Sequence, residues 1–366
     1  MNGRAAANRG TRLLLIAASL VIIVSGVNQA QAVLVSLLVA VFFAMLGTPP
    51  VLWLQRRRVP SLVAVLLVVA GMVAILLVAG GIVGASLNAF YAELPAYQDR
   101  LKAEMAALQG YLAGQGIRGM DKVLLGYLNP AAVMSLTAKL LAGLGSALSD
   151  IVLILLTIAF ILLEASSFPV KLRAVLGDPR ADFPQFGAFM GDLQRYVIIK
   201  TLISLATGVL VGGWLAVLGV DFAVLWGFLA FLLNYVPNVG STIAAIPAVL
   251  LAYVQLGMGR AALAAAGFML VNFVLDNVVE ARLMGRRLHL STLVVFLSLL
   301  LWGSLLGPVG MVLCIPLTMT LKFACEGDEG TRWIAVLLGP EAPEAGAATA
   351  PGASAGGAAA GAPPRG

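Results

Sequence analysis

Asn272, Asp276 and Glu280 follow one another at i, i+4 and i+8 in a largely apolar stretch. On an α-helix that spacing puts them on one face. Asn277 and Arg282 lie beside them. Ionisable groups in or next to membrane helices are rare, and they mark ion paths or proton relays. Burying a carboxylate is costly unless it is neutralised, so Asp276 reads as a site for a proton or a cation. The competing reading sets Asp276 and Glu280 at the headgroup level, paired with Arg282, Arg286 or Arg287. Lys200 reads either as part of the same interior or as a side chain snorkelling to the cytoplasmic surface.

A second polar group interrupts an apolar stretch at NYVPNVG, which holds Asn234, Tyr235, Pro237, Asn238 and Gly240. The apolar runs on either side have about 15 residues, or ~22 Å of helix, short of the ~30 Å hydrocarbon core. Pro237 and Gly240 stop one helix from running through. Two short spanning helices with a plain loop would fit this. So would a broken hairpin, which survives at membrane depth only when it is buried in protein or lines a cavity. Asn234 and Asn238 are suited to hydrogen-bonding a solute or to capping the broken ends.

The break has a partner at LLGPVG, with Gly307, Pro308 and Gly310. Each break is followed by an apolar run to Ile-Pro, from Gly240 to Pro247 and from Gly310 to Pro316. If residues 221–256 and 291–322 are both re-entrant, they dip from opposite faces as an inverted repeat. Such paired breaks point to a transporter's solute site near the midplane.

The elements that must position these residues are membrane helices. The chain of 366 residues is 61% hydrophobic and 11% charged, against about 25% charged in a soluble protein. The net charge of +6 resides in short basic clusters between apolar runs, which orient helices and do not suggest nucleic acid. Cys314, Cys325 and the single His289 form no disulfide framework, metal or haem spacing. There is no nucleophile–base pairing, phosphate loop or HExxH motif, so no enzyme, cofactor or ATP-driven pump is expected.

The order of segments follows. Arg4, Arg9 and Arg12 precede an apolar run from Leu13 to Val27, with Ala30-Gln31-Ala32 after it. This resembles a signal peptide, but a hairpin with the next run, 33–54, is simpler; that run ends at Arg56-Arg57-Arg58. Residues 1–87 therefore read as N-terminal membrane helices. Residues 88–150 read as a small extracytoplasmic helical cap with balanced charge, a lid or assembly surface, or else amphipathic helices on the membrane. Residues 151–325 read as the transport core. Residues 326–366 read as a cytoplasmic tail, disordered from about 339. Gly208, Gly212 and Gly213 suggest close helix packing.

The strings KTLISLATG, GVDFAVLWGFLAFLLNYVPNVGSTIAAIPAVLLA, DNVVEARLMGRRLHLS and LLWGSLLGPVGMVLCIPLTMTLK resemble the autoinducer-2 exporter family of bacterial permease-like proteins. The likeness covers roughly residues 10 to 325. Leu233, Asn234, Val236, Pro237 and Gly240 match that family's LNxIPxxG element. Glu280, Arg282, Met284 and Gly285 match its E-Pro-R-x-M-G element, with Ala281 in place of the proline. Thr292 likewise stands where a proline often follows the serine. The resemblance implies a bacterial inner-membrane transporter; some members are associated with autoinducer-2 export and others with sodium or lithium/proton antiport.

The expectation is an all-α polytopic membrane protein with about five to six spanning helices, two re-entrant hairpins in an inverted repeat, and a cap. Its partners would be the lipid bilayer, a small polar solute, H⁺ or Na⁺, and further copies of itself. Both termini would be cytoplasmic. The leading function is a secondary exporter of a small polar solute; a Na⁺(Li⁺)/H⁺ antiporter and a non-transporting scaffold are the alternatives.

Overall fold

The computed structural model describes Leu15, Ala18, Ser19, Val21, Ile22 and residues 24–114, 151–165, 184–237, 239–284, 290–327 and 329–339. Asn238, Arg286, Arg287, His289, most of the cap (115–150) and the tail from 340 lie outside these residues. Among the described residues all regular structure is helical. The order is α1 (Gln31–Arg56), α2 (Ser61–Gly114), α3 (Ile151–Ala165), α4 (Pro184–Leu218), α5 (Ala223–Leu233), α6 (Gly240–Leu256) and α7 (Met258–Asn272). A π-helical segment (Phe273–Glu280), α8 (Ala281–Met284), α9 (Thr292–Val312), α10 (Cys314–Glu326) and α11 (Arg332–Leu338) follow. Among the described residues, five helices are long and apolar enough to cross a membrane: Gln31–Arg56, Ser61–Arg100, Phe186–Leu218, Met258–Met284 and Thr292–Val312. Shorter apolar helices accompany them. The chain is an all-α polytopic membrane protein.

The helix begun at Ser61 continues without a break past residue 87, through Pro95, to Gly114. Ala, Leu, Glu and Lys beyond residue 87 are strong helix formers, so the rise in polarity does not end the helix. Its upper part packs on the first hairpin: the Phe90 ring, wholly buried, meets Phe222 and Trp226 edge-on at 5.6 Å.

α5 and α6 are the legs of that hairpin. Side-chain and backbone contacts align α5 antiparallel to the C-terminal half of α4. Gly227 sits against Gly208 and Gly212, Asn234 bonds Ser204, and Tyr235 bonds Thr201. A Cβ on Gly227 would fall 2.6 Å from the Gly208 carbonyl oxygen, so the two helix backbones touch. The glycines of α4 thus serve packing, as their spacing suggests; Gly213, by contrast, faces open space.

Both ends of this hairpin lie at the Leu218 end of α4. The Asp221 amide donates to Gln255 Oε1 (3.0 Å), Gln255 Nε2 donates to Asp221 Oδ2, and Arg260 donates to the Leu218 carbonyl (3.2 Å). Its tip stops beside Thr201 and Ser204, with more than four turns of α4 still below it. The hairpin therefore enters and leaves at one end of the bundle.

The second stretch also reverses. Gly307 adopts φ +65°, ψ −150°, a region open essentially to glycine alone. The legs then run back along each other: Gly303 meets Met311, and Trp302 Nε1 donates to Thr318 Oγ1 at 3.0 Å. Ser291 caps α9 by accepting from the Val294 amide, and the Ser291 amide donates to the Leu338 carbonyl. Leu290, at the base, packs with Tyr196 and Met284, toward the opposite end of α4 from Leu218. The two hairpins therefore enter from opposite ends. Val236, at the first tip, packs on the cluster containing Leu299, Cys314 and Ile315 of the second hairpin.

Candidate functional site

α4 carries a polar stripe through an apolar helix: Lys200, Thr201, Ser204 and Thr207. Lys200 is 6% exposed and points into the bundle, not to a surface. Its Nζ donates to Glu280 Oε2 at 2.9 Å, joining α4 to the last residue of the π-helical segment. Thr201 and Ser204 hold the tip of the first hairpin. Asn234, 3% exposed, donates from Nδ2 to Ser204 Oγ (3.1 Å), and Tyr235 donates to Thr201 Oγ1 (2.9 Å). Thr201 in turn donates to the Val197 carbonyl. Gly240 is required where α6 starts, because any Cβ there would collide with the Leu233 carbonyl.

Between the tip, α6, α7 and the π-helical segment lies a cavity of about 600 Å³. Lys200, Asn234, Ser241, Thr242, Asn272, Asp276, Asn277 and Glu280 supply its polar lining. Val236, Pro237, Phe268, Met269, Phe273 and Ile315 are among the apolar residues around them. The π-helix matters here. Its wider i→i+5 turn, a feature that gathers at functional sites, carries both Asp276 and Asn277 to the wall in successive positions.

The cavity brings together half of the candidate site residues read from the sequence: Asn234, Pro237, Lys200, Asn272, Asp276, Asn277 and Glu280. Tyr235 lies behind the wall, holding the tip. Arg282 is exposed on α8 and does not line it; Glu280 is paired with Lys200 instead. Gly307, Pro308 and Gly310 shape the second reversal, near Gln31, and also lie outside the lining. The second hairpin reaches the cavity through Ile315. Thr201, Ser204, Ser241 and Thr242 were missed in the sequence, although the polar stripe on α4 marked the first two.

The electrostatics are uneven. One lysine faces two carboxylates, and Lys200 is committed to Glu280 while also lying within electrostatic range of Asp276. Asp276 Oδ1 and Asn272 Oδ1 are buried with no hydrogen-bond partner. Buried polar atoms in folded proteins are nearly always paired, so two orphans one turn apart on residues that line the cavity mark a polar, incompletely satisfied wall. Among the described residues no cluster of His, Cys, Asp and Glu has metal-binding geometry.

Two broken hairpins that enter from opposite ends, beside a polar cavity in a polytopic helical protein, are the arrangement found in membrane transporters built from inverted repeats. The comparisons with known proteins agree. The family model described as AI-2E family transporter matches residues 13–327, and the chain belongs to that family. It is similar to the AI-2 transport protein TqsA of Escherichia coli (strain K12), at 40% identity over 329 residues, covering 90% of this chain and 96% of that protein. It is also similar to YhhT of the same organism, at 39% identity over 335 residues, covering 92% and 96%.

Proposed function

We propose that the chain is a secondary transporter of a small polar solute in the bacterial inner membrane, with both termini in the cytoplasm. In this reading the solute passes through the cavity beneath the first hairpin. Asp276 and Glu280 couple its movement to protons or cations, and Lys200 sets their charge balance. The observation that carries the reading is Asp276, an acid with an orphaned buried oxygen in a cavity walled by a broken hairpin and a π-helical segment. Autoinducer-2 is the first solute to assay, because a relative matched over 90% of this chain is named AI-2 transport protein.

A Na⁺(Li⁺)/H⁺ antiporter is the second reading, favoured by the same carboxylate. Purified protein in vesicles separates the two. Release of autoinducer-2 and internal pH are followed with and without Na⁺ or Li⁺. Solute release supports the exporter. A cation-driven pH change without solute release supports the antiporter. Neither, in folded protein, removes transport as the function.

A further inference from the structure

The base of the first hairpin carries a polar cluster separate from the cavity. The Tyr97 hydroxyl lies 2.7 Å from Glu93 Oε2 on its own helix and 2.7 Å from Asp221 Oδ2 on the hairpin. Tyr97 is 3% exposed, whereas Glu93 and Asp221 are both exposed. Gln255, on the other leg, completes the cluster. The Asp221 amide donates to its Oε1, which turns its Nε2 to donate to Asp221 Oδ2. α2 and both legs of the hairpin therefore meet at these four side chains.

With both acids ionised, the cluster is one proton short. A tyrosine hydroxyl has one proton and donates to one partner. Its second contact would then set a carboxylate oxygen against the hydroxyl oxygen with no proton between them. Gln255 shows where the missing proton belongs. Asp221 Oδ2 already accepts from Gln255, which marks it as the acceptor of the Tyr97 proton as well. The Tyr97 oxygen must then accept from Glu93, so Glu93 carries the extra proton.

No cation takes that proton's place. Among the described residues, ion pairs form at Lys102–Asp99, Lys200–Glu280 and Lys322–Glu326, and none involves Glu93 or Asp221. Arg260 of α7 is turned to the Leu218 carbonyl. Tyr91 and Arg100 on α2 and Tyr253 on α6 are the other titratable groups on the neighbouring turns. Glu93 stands ~48 Å along α2 from Ser61, more than the ~30 Å hydrocarbon core, so water reaches it.

We propose that Glu93, Tyr97 and Asp221 form a proton-operated clasp between α2 and the base of the first hairpin, closed when Glu93 is protonated and open when it is ionised. The closed clasp holds one proton more than the open one, so acid closes it and base opens it. Opening frees the base of the hairpin whose tip walls the cavity. The clasp goes beyond the transporter reading and does not depend on what is moved.

The test is a spin-label distance measurement on the full chain in lipid nanodiscs. Labels are placed at Ala103→Cys on α2 and Met258→Cys beyond the hairpin, both exposed, with Cys325→Ser and with Cys314 buried. Distances are recorded from about pH 4 to about pH 8, which spans the titration of carboxyl groups. The expected result is a short-distance population that falls at least threefold as pH rises. Glu93→Gln, whose amide donates at every pH, keeps it high throughout. Tyr97→Phe keeps it low throughout. Asp99→Asn, in the exposed pair with Lys102, leaves the response unchanged. Thermal unfolding shows whether each variant is folded; if Tyr97→Phe is not, Glu93→Gln carries the test. A distance that does not change with pH in the unaltered chain overturns the proposal, as does a pH response that survives in folded Glu93→Gln. Loss of the response in Asp221→Asn with its retention in Glu93→Gln also overturns it, by placing the proton on Asp221.

Discussion

Lys200 and Glu280, 80 residues apart in the chain, form a largely buried ion pair at 2.9 Å, with Glu280 18% exposed, that ties α4 to the end of the π-helical segment. The pair fixes one edge of the cavity and occupies its only described lysine, which is why Asp276 stays without a committed partner. Buried pairs seldom add net stability, but breaking one from a single side strands a charge. Lys200→Met should therefore destabilise the protein by about 3–5 kcal/mol. Lys200→Met combined with Glu280→Leu should recover most of that loss, measured by thermal or denaturant unfolding in micelles. Equal losses in the single and double variants would mean that the pair does not act as a unit.

Gly227 and Gly213 make a matched contrast. A Cβ on Gly227 would press on the Gly208 backbone, whereas one on Gly213 meets nothing within 4 Å. Gly227→Ala should cost about 1–3 kcal/mol as α4 and α5 are forced apart. Gly213→Ala should be neutral, or stabilising by up to about 1 kcal/mol through helix propensity. The same unfolding measurement ranks them, and a reversed order would contradict the backbone contact.

Ser204 is a positioning residue for the first hairpin. Ser204→Ala leaves the Asn234 amide, in a 3% exposed side chain, without its acceptor. The expected cost is about 1–3 kcal/mol. A looser tip should also expose the break, so a cysteine placed at Val239 should react faster with a water-soluble thiol reagent in Ser204→Ala than with Ser204 intact. The Cys325→Ser background avoids side reactions, Cys314 being buried. An unchanged labelling rate would remove Ser204 from that role.

Gly307 turns the second hairpin with a backbone that other residues enter only under strain. Gly307→Ala should lower stability by about 1–3 kcal/mol. Gly84→Ala, on open helix surface, provides the comparison. Equal stability of the two variants would place the reversal elsewhere.

The helices and both breaks were legible in the sequence because their causes are local. Hydropathy sets the spans, and Pro237, Gly240, Gly307 and Pro308 interrupt them whatever surrounds them. The spacing of Asn272, Asp276 and Glu280 was legible for the same reason. The inward turn of Lys200 was not, because its partner Glu280 is brought to it by tertiary packing. The π-helical form of FVLDNVVE is equally hidden, since nothing in those eight residues excludes an ordinary α-helix. By type Asn234 suits a solute ligand or a helix cap, and Tyr235 shares the same polar break. Only the arrival of Thr201 and Ser204 beside them shows that their donors are already engaged.

The central claim is that transport runs through the cavity at Asp276. Its most direct test compares vesicles carrying the unaltered chain, Asp276→Asn and Asp99→Asn. Autoinducer-2 release and Na⁺- or Li⁺-dependent pH change are measured together. Whichever flux the unaltered chain supports should fall at least tenfold in folded Asp276→Asn and persist in Asp99→Asn. Full flux in Asp276→Asn would contradict it.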